Sequence, residues 1–253
     1  MKIFVSDYDG TLNRGGGITA GDREALLRWK RAGNLFGVAT GRSYRMLAAV
    51  WDRSPLCPDF IVGAGGTQIY NGMGIRLAEF AGDGTLVPEI AARIIEWGGK
   101  IVHFSVDDTR YIVALDGKFP EKTRDIYVPV DNVPAIPRVH SINTYFDTTE
   151  KAIAFCEALN RDYEGKFTAC NNTDCGDIVP YGSGKKEGIA AYLALAGLED
   201  AEVITAGDSG NDLEMLLGYT GYTMENADAT VKDALGSERV CPDIAAILAK
   251  HME

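Results

Sequence analysis

Three short stretches of this 253-residue chain carry side chains able to do chemistry: Asp7-Tyr8-Asp9-Gly10-Thr11, Thr40-Gly41-Arg42 and Gly207-Asp208-Ser209-Gly210-Asn211-Asp212. Carboxylates can act as nucleophiles, exchange protons and hold hard cations. Taken singly, each stretch has a bland reading: Asp-x-Asp-Gly-Thr suits a turn, and the other two suit helix caps. Taken together, Asp7, Asp9, Asp208 and Asp212 could meet at one place. Two like charges about 4 Å apart repel by about 4 kcal/mol at an effective dielectric of about 20, so such a gathering needs a cation. A few carboxylates, with room for waters and substrate oxygens, suit Mg2+, whereas zinc would call for His or Cys. His103, His140 and His251 stand outside these stretches.

The elements needed to bring the acids together are legible in the hydrophobic pattern. Ile3 to Ser6, Leu35 to Ala39 and Val203 to Ala206 read as short buried strands, each ending in one of the three stretches. A helix capped near Thr19 and stopped at Gly33, a second opening at Ser43, and a strand at Phe60-Ile61-Val62 complete a β-α-β-α-β unit, hence a parallel sheet. In such sheets ligands collect beyond the carboxyl ends of the strands. From the Asn71-Gly72 hairpin signal the texture changes. A helix over 87–97, a hairpin about Asp107-Asp108, a stretch bearing Pro120, Pro129, Pro134 and Pro137, a strand over 142–146 and a helix over 148–160 predict an antiparallel sheet with helices on one face. The βα rhythm returns at Lys186, with a helix from about Asp212 and a closing helix near 244–250. The expected fold class is therefore α/β: a Rossmann-like parallel-sheet core with helices on both faces, formed by residues 1–80 and 181–253, and an inserted α+β domain at 81–180.

Composition excludes other classes. With 36 acidic and 25 basic side chains and a net charge of −11, the surface repels phosphate backbones and anionic headgroups, so neither nucleic acid nor a membrane is an expected partner. No run is long and apolar enough for a bilayer, and the first residues do not read as a secretory signal. Five scattered cysteines predict reduced thiols and a cytoplasmic location. Cys170 and Cys175 flank a turn, with no second Cys/His pair to complete a zinc site.

These stretches resemble the haloacid dehalogenase superfamily, in its Cof-like branch of sugar-phosphate phosphatases. Its first motif is similar to Asp7 through Leu12, its second to Ala39-Thr40-Gly41-Arg42, its fourth to Gly207 through Asp212, and its sequel to Met224-Glu225-Asn226-Ala227 with Val231-Lys232-Asp233-Ala234. For the third motif, a lysine opening a helix, Lys185 and Lys186 stand side by side; a small residue three positions on, Gly188, favours Lys185. The segment Gly63-Ala64-Gly65-Gly66-Thr67-Gln68-Ile69-Tyr70 departs from the Cof-like pattern and looks more like sucrose-phosphate phosphatase relatives.

The resemblance implies a Mg2+-dependent phosphatase for a small phosphorylated metabolite, a sugar phosphate above all. Asp7 would be the nucleophile and Asp9 the proton donor and acceptor. Asp7, the backbone carbonyl of Asp9 and Asp208 would hold the ion, with Asp212 orienting its waters. Thr40, the amide of Gly41, Asn211 and Lys185 would bind phosphoryl oxygens, while Arg42 supports the loop. Asp9 sets the chain apart from dehalogenases, whose halide leaving groups need no proton. A phosphomutase on this scaffold and a non-catalytic binding or regulatory protein are the competing readings. Substrate selection is expected in the inserted domain, where Arg110, Arg124 and Asp177 read as solvated surface or hairpin pairing.

Overall fold

The computed structural model describes residues 1–51, 56–115, 117 and 125–252; Pro120 and Arg124 lie outside them. The chain opens with β1 (Lys2–Ser6), α1 (Ala20–Arg31), β2 (Leu35–Ala39), α2 (Tyr44–Trp51), β3 (Phe60–Gly63), β4 (Gln68–Asn71) and β5 (Arg76–Glu79). Then come β6 (Gly82–Asp83), α3 (Val87–Glu96), β7 (Val102–Val106), β8 (Thr109–Ala114), β9 (Ile126–Pro129), β10 (Arg138–Val139), β11 (Ser141–Tyr145), α4 (Thr149–Asp162), β12 (Phe167–Asn172) and β13 (Cys175–Pro180). It closes with α5 (Lys185–Ala196), β14 (Glu202–Gly207), α6 (Leu213–Gly218), β15 (Thr220–Met224), α7 (Ala229–Leu235), β16 (Val240–Cys241) and α8 (Ile244–Ala249). Two compact units result, one of residues 1–79 with 184–253 and the other of residues 80–183.

The first unit is α/β. Its sheet runs β16-β15-β14-β1-β2-β3-β4-β5, parallel from β16 to β3 and antiparallel from β3 to β5. Successive strand residues face opposite sides, so each face carries its own helices. Ile61, Ile204 and Ala206 join the cluster under α1, α2 and α8 around Trp29, Leu47 and Ile247. On the other face Phe60 stacks on Tyr192 of α5, ring centroids 3.7 Å apart, and Thr205 donates to the Met215 carbonyl of α6. Thr19 caps α1 by accepting the Asp22 N–H at 3.1 Å, and Gly33 ends the helix region with a left-handed φ of 81°. The hairpin foreseen at Asn71-Gly72 joins β4 to β5, but Gly74 takes the left-handed conformation while Asn71 Oδ1 accepts the Met73 and Ile75 N–H groups.

The second unit has the sheet β12-β13-β11-β7-β8-β9 and a small pair, β10-β6. The main sheet is antiparallel except for β8 and β9, which run parallel, a pairing the hairpin pattern did not foresee. Phe104, Ile142, Ala169 and Ile178 pack with α3 and α4 on one face. On the sheet itself Asn143 donates to its cross-strand partner Asp177 at 2.7 Å, and Arg110 grips Asp125. Among the described residues, no helix is long and apolar enough to cross a membrane.

Candidate active site

The order β14-β1-β2 sets three strand ends side by side. Ser6 pairs with Val38 and with Ala206, so Asp7, Thr40 and Asp208 follow within two residues of paired positions. Asp7 is pinned there by its N–H, which donates to the Ala206 carbonyl at 2.8 Å, and Thr40 by its own N–H to the Val62 carbonyl at 2.9 Å.

Carboxylate oxygens of Asp7, Asp208 and Asp212 all lie within 4.8 Å of one another. Lys185, the first residue of α5, supplies the cation: its Nζ is 2.7 Å from Asp7 Oδ1, 2.6 Å from Asp212 Oδ1 and 3.2 Å from Asn211 Oδ1. Lys185 is only 4% exposed, whereas Lys186 points to solvent. Glycines explain how the helix comes so close. A Cβ on Gly66, whose φ is +106°, would run into the backbone of Gly184 and Lys185, and one on Gly188 would sit 2.7 Å from the Gly66 carbonyl.

Asp212 is held in turn. Its Oδ2 accepts the N–H groups of Asp208 at 3.0 Å and Ser209 at 3.1 Å, while the Ser209 hydroxyl bonds it and Asn211. Asp208 accepts the Thr11 hydroxyl at 2.5 Å, and Gly10 lacks the Cβ that would fall on the Asp208 carboxylate. Neither Thr11 nor Asn226, whose side-chain amide donates to the Gly10 carbonyl at 2.9 Å, is assigned a task by the sequence reading, although both belong to the motifs quoted there.

The fourth acid is turned elsewhere. Asp9 is exposed, and both its oxygens are taken by Arg42, at 2.6 Å from Nε and 2.7 Å from Nη2. Thus three carboxylates converge, not four, because the guanidinium fork beside Asp9 attracts its side chain out of the cluster. Nothing in the spacing of Asp9 and Arg42 signals this pair. Gly41 is exposed, with open space above its Cα. Of the three histidines, His103 is on β7, His140 follows β10 and His251 follows α8.

The electrostatics follow from burial and crowding. Burial pushes the Asp7 carboxyl well above the usual range; Lys185 opposes that, and Asp212 and Asp208 add to it. Burial likewise lifts Asp208, to about 6, against the pull of the Thr11 hydrogen bond. Burial works against a charge on Lys185, yet Asp212 and Asp7 outweigh it and hold the ammonium protonated. Three carboxylates and one ammonium leave a formal charge of −2, made of oxygen donors alone. That donor set fits a hard divalent cation.

The chain resembles known proteins along nearly its whole length. The 5-amino-6-(5-phospho-D-ribitylamino)uracil phosphatase YwtE of Bacillus subtilis is 27% identical, over 92% of this chain and 91% of its own. The phosphatase YbjI of Escherichia coli, with the same named substrate, is 24% identical over 91% and 88%. Among solved structures, a haloacid dehalogenase-like hydrolase from B. subtilis has a TM-score of 0.81 at 17% identity, covering 100% of this chain and 98% of that one. The subclass IIB sugar phosphatase BT4131 has a TM-score of 0.78 at 20% identity, covering 100% and 99%. Residues 4–238, a span that reaches into both units and includes every acidic strand end, match one family, and the chain belongs to that family, the haloacid dehalogenase-like hydrolases.

Proposed function

We propose that this hydrolase is a Mg2+-dependent phosphatase whose substrate is a phosphate ester on a small polyhydroxylated carbon chain, a sugar or sugar-alcohol phosphate. The observation that carries this reading is the buried Lys185 ammonium lodged between Asp7 and Asp212, with Asp208 beside them. A protonated lysine in that place cannot serve as a base; it can hold phosphoryl oxygens. The phosphatase relatives named above act on a phosphorylated ribityl chain, and a structural neighbour is a sugar phosphatase, which supports the substrate class.

Phosphate monoesters hydrolyse extremely slowly unaided, and splitting the displacement in two is one way to lower the barrier. Asp7 attacks phosphorus, the bond to the leaving oxygen breaks, and an aspartyl-phosphate forms. Asp9 gives its proton to the leaving alcohol. It then takes a proton from the water that attacks the phosphoryl group, and phosphate departs with Asp7 restored. Thr40, the Gly41 amide, Asn211 and Lys185 bind the oxygens on which charge spreads. Asp7, Asp208 and the Asp9 carbonyl would hold Mg2+, which when bound neutralises phosphoryl charge. Asp212, its Oδ2 already committed to two backbone N–H groups, orients the site from behind. Residues 80–183 are assigned to substrate selection, and the five free thiols fit a cytoplasmic setting.

Phosphate release from a panel of sugar, polyol and nucleoside phosphates, with Mg2+ and with EDTA, tests the reading. It expects turnover of sugar or polyol phosphates that EDTA stops and that Asp7→Asn lowers by at least about a thousandfold, with the fold intact by circular dichroism. Turnover that survives Asp7→Asn, or no release from any ester, would overturn it.

A further inference from the structure

Beside the carboxylate cluster lies an ion pair that the reaction just outlined does not use. An exposed pair of flexible side chains is worth little, since both must be immobilised to make it. Arg42, however, is already held from three sides. Its N–H donates to Thr40 Oγ1 at 3.1 Å, and its carbonyl accepts the Ala64 N–H at 2.8 Å. Its guanidinium carbon lies 5.1 Å from the centroid of the Tyr8 ring, which is buried. The turn that delivers the Ala64 N–H is itself bent to do so. Ala64 has a φ of +51°, rarely adopted by a residue with a side chain, and a Cβ on Gly63 would come within 3.2 Å of the Arg42 carbonyl. This is the segment where the chain departs from the Cof-like pattern. Tyr8, standing between Asp7 and Asp9, carries the guanidinium on its face.

We propose that Arg42 is a positioning residue for Asp9, its two-point grip setting the plane of the carboxyl group that delivers the proton to the leaving oxygen. The proposal rests on the assignment of Asp9 as proton donor. A carboxylate offers about four lone-pair sites, and a fork that takes one on each oxygen leaves the others for the transferred proton. The proton passes from Asp9 to the ester oxygen as the phosphorus–oxygen bond breaks, and returns from water in the second step. Arg42 neither gives nor takes one. In the first displacement, the step that kcat/KM reports, its contribution therefore scales with the leaving group's need for a proton, which is large for an alkoxide and small for nitrophenolate. In the second step it is the same for every ester. An arginine that merely bound phosphate, or merely propped the loop, would help every ester alike.

The test is a series of phosphomonoesters from p-nitrophenyl phosphate to an alkyl phosphate, given with Mg2+ to the wild-type chain, Arg42→Gln, Arg42→Lys, Asp9→Asn and the Arg42→Gln/Asp9→Asn double variant. General acid catalysis is worth about a hundredfold or more, and misplacing the acid forfeits part of it. Arg42→Gln should lose about 10- to 100-fold in kcat/KM on the alkyl ester and less than about threefold in kcat/KM on p-nitrophenyl phosphate. The dependence of rate on leaving-group pKa should steepen, Arg42→Lys should fall between, and the double variant should be no worse than Asp9→Asn. Equal losses on both esters, additive losses in the double variant, or no loss would each overturn it. Melting temperatures identify a variant that has merely unfolded, and Arg42→Lys, which keeps the charge, then decides. If the wild type releases phosphate from neither ester, the phosphatase reading fails first; if Asp9→Asn discriminates between esters and the Arg42 variants do not, this proposal alone fails.

Discussion

Lys185 is what lets three acids share a buried pocket. Removing one partner of a buried ion pair costs about 3–5 kcal/mol, because the other charge is left uncompensated. Lys185→Met should therefore lower stability by about that much, leaving Asp7 and Asp212 facing each other, and Mg2+ should recover part of the loss. Lys186→Met, on the solvent side of the same turn, should stay within about 0.5 kcal/mol of the wild type. Chemical denaturation of the two variants, with Mg2+ and with EDTA, checks both outcomes; equal effects would contradict the geometry. At this scale Asp7, Asp208 and Asp212 were readable because each sits at a strand end or helix start that the hydrophobic pattern already marks, and Lys185 through its resemblance to the family's third motif, with Gly188 three positions on. The partner of Asp9 was not. Arg42 could as well have faced solvent; the bonds of its backbone to Thr40 and Ala64 and the Tyr8 ring beside its guanidinium commit it.

At the scale of elements, close approach is decided by glycines rather than by propensity. Gly66→Ala places a side chain on backbone at a φ of +106°, so it should cost more than about 3 kcal/mol and pull Lys185 out of register, lowering activity with it. Gly165→Ala is a control of similar backbone type, with a φ of +72° and open space around it, and should cost only about 1 kcal/mol. Thermal melting separates the two; comparable losses would mean that conformation alone matters, not the contact with α5. The elements that went unforeseen have physical reasons. β6, β10 and β16 are two residues long, too short for any periodicity. In β15, Thr220-Gly221-Tyr222-Thr223-Met224 lacks an apolar run, and its Gly221 is there because the Leu216 backbone passes too close for a Cβ. The parallel pairing of β8 with β9 joins strands that a hairpin rule cannot connect.

For the whole molecule, charge couples the site to stability. Asp208 is raised to about 6, so as pH falls from neutral towards 5 the metal-free fold takes up a proton that the unfolded chain binds only near pH 4, and is stabilised by it; the raised Asp7 acts in the same direction. Mg2+ must displace that proton, so the rise in melting temperature that it causes should be larger at pH 7.5 than at pH 5.5. At about a hundred times its dissociation constant the ion would add about 2.7 kcal/mol, a shift of several degrees, and an increment that grew on acidification would contradict this. The sequence by itself determined the α/β class, the insertion between two halves of the core, and the acids at the ends of three strands, because hydrophobic period and strand-end chemistry are local in the chain. Which acid leaves the cluster and which arginine holds it were decided only by the tertiary structure, since each depends on side chains from distant segments meeting at distances no spacing in the sequence encodes.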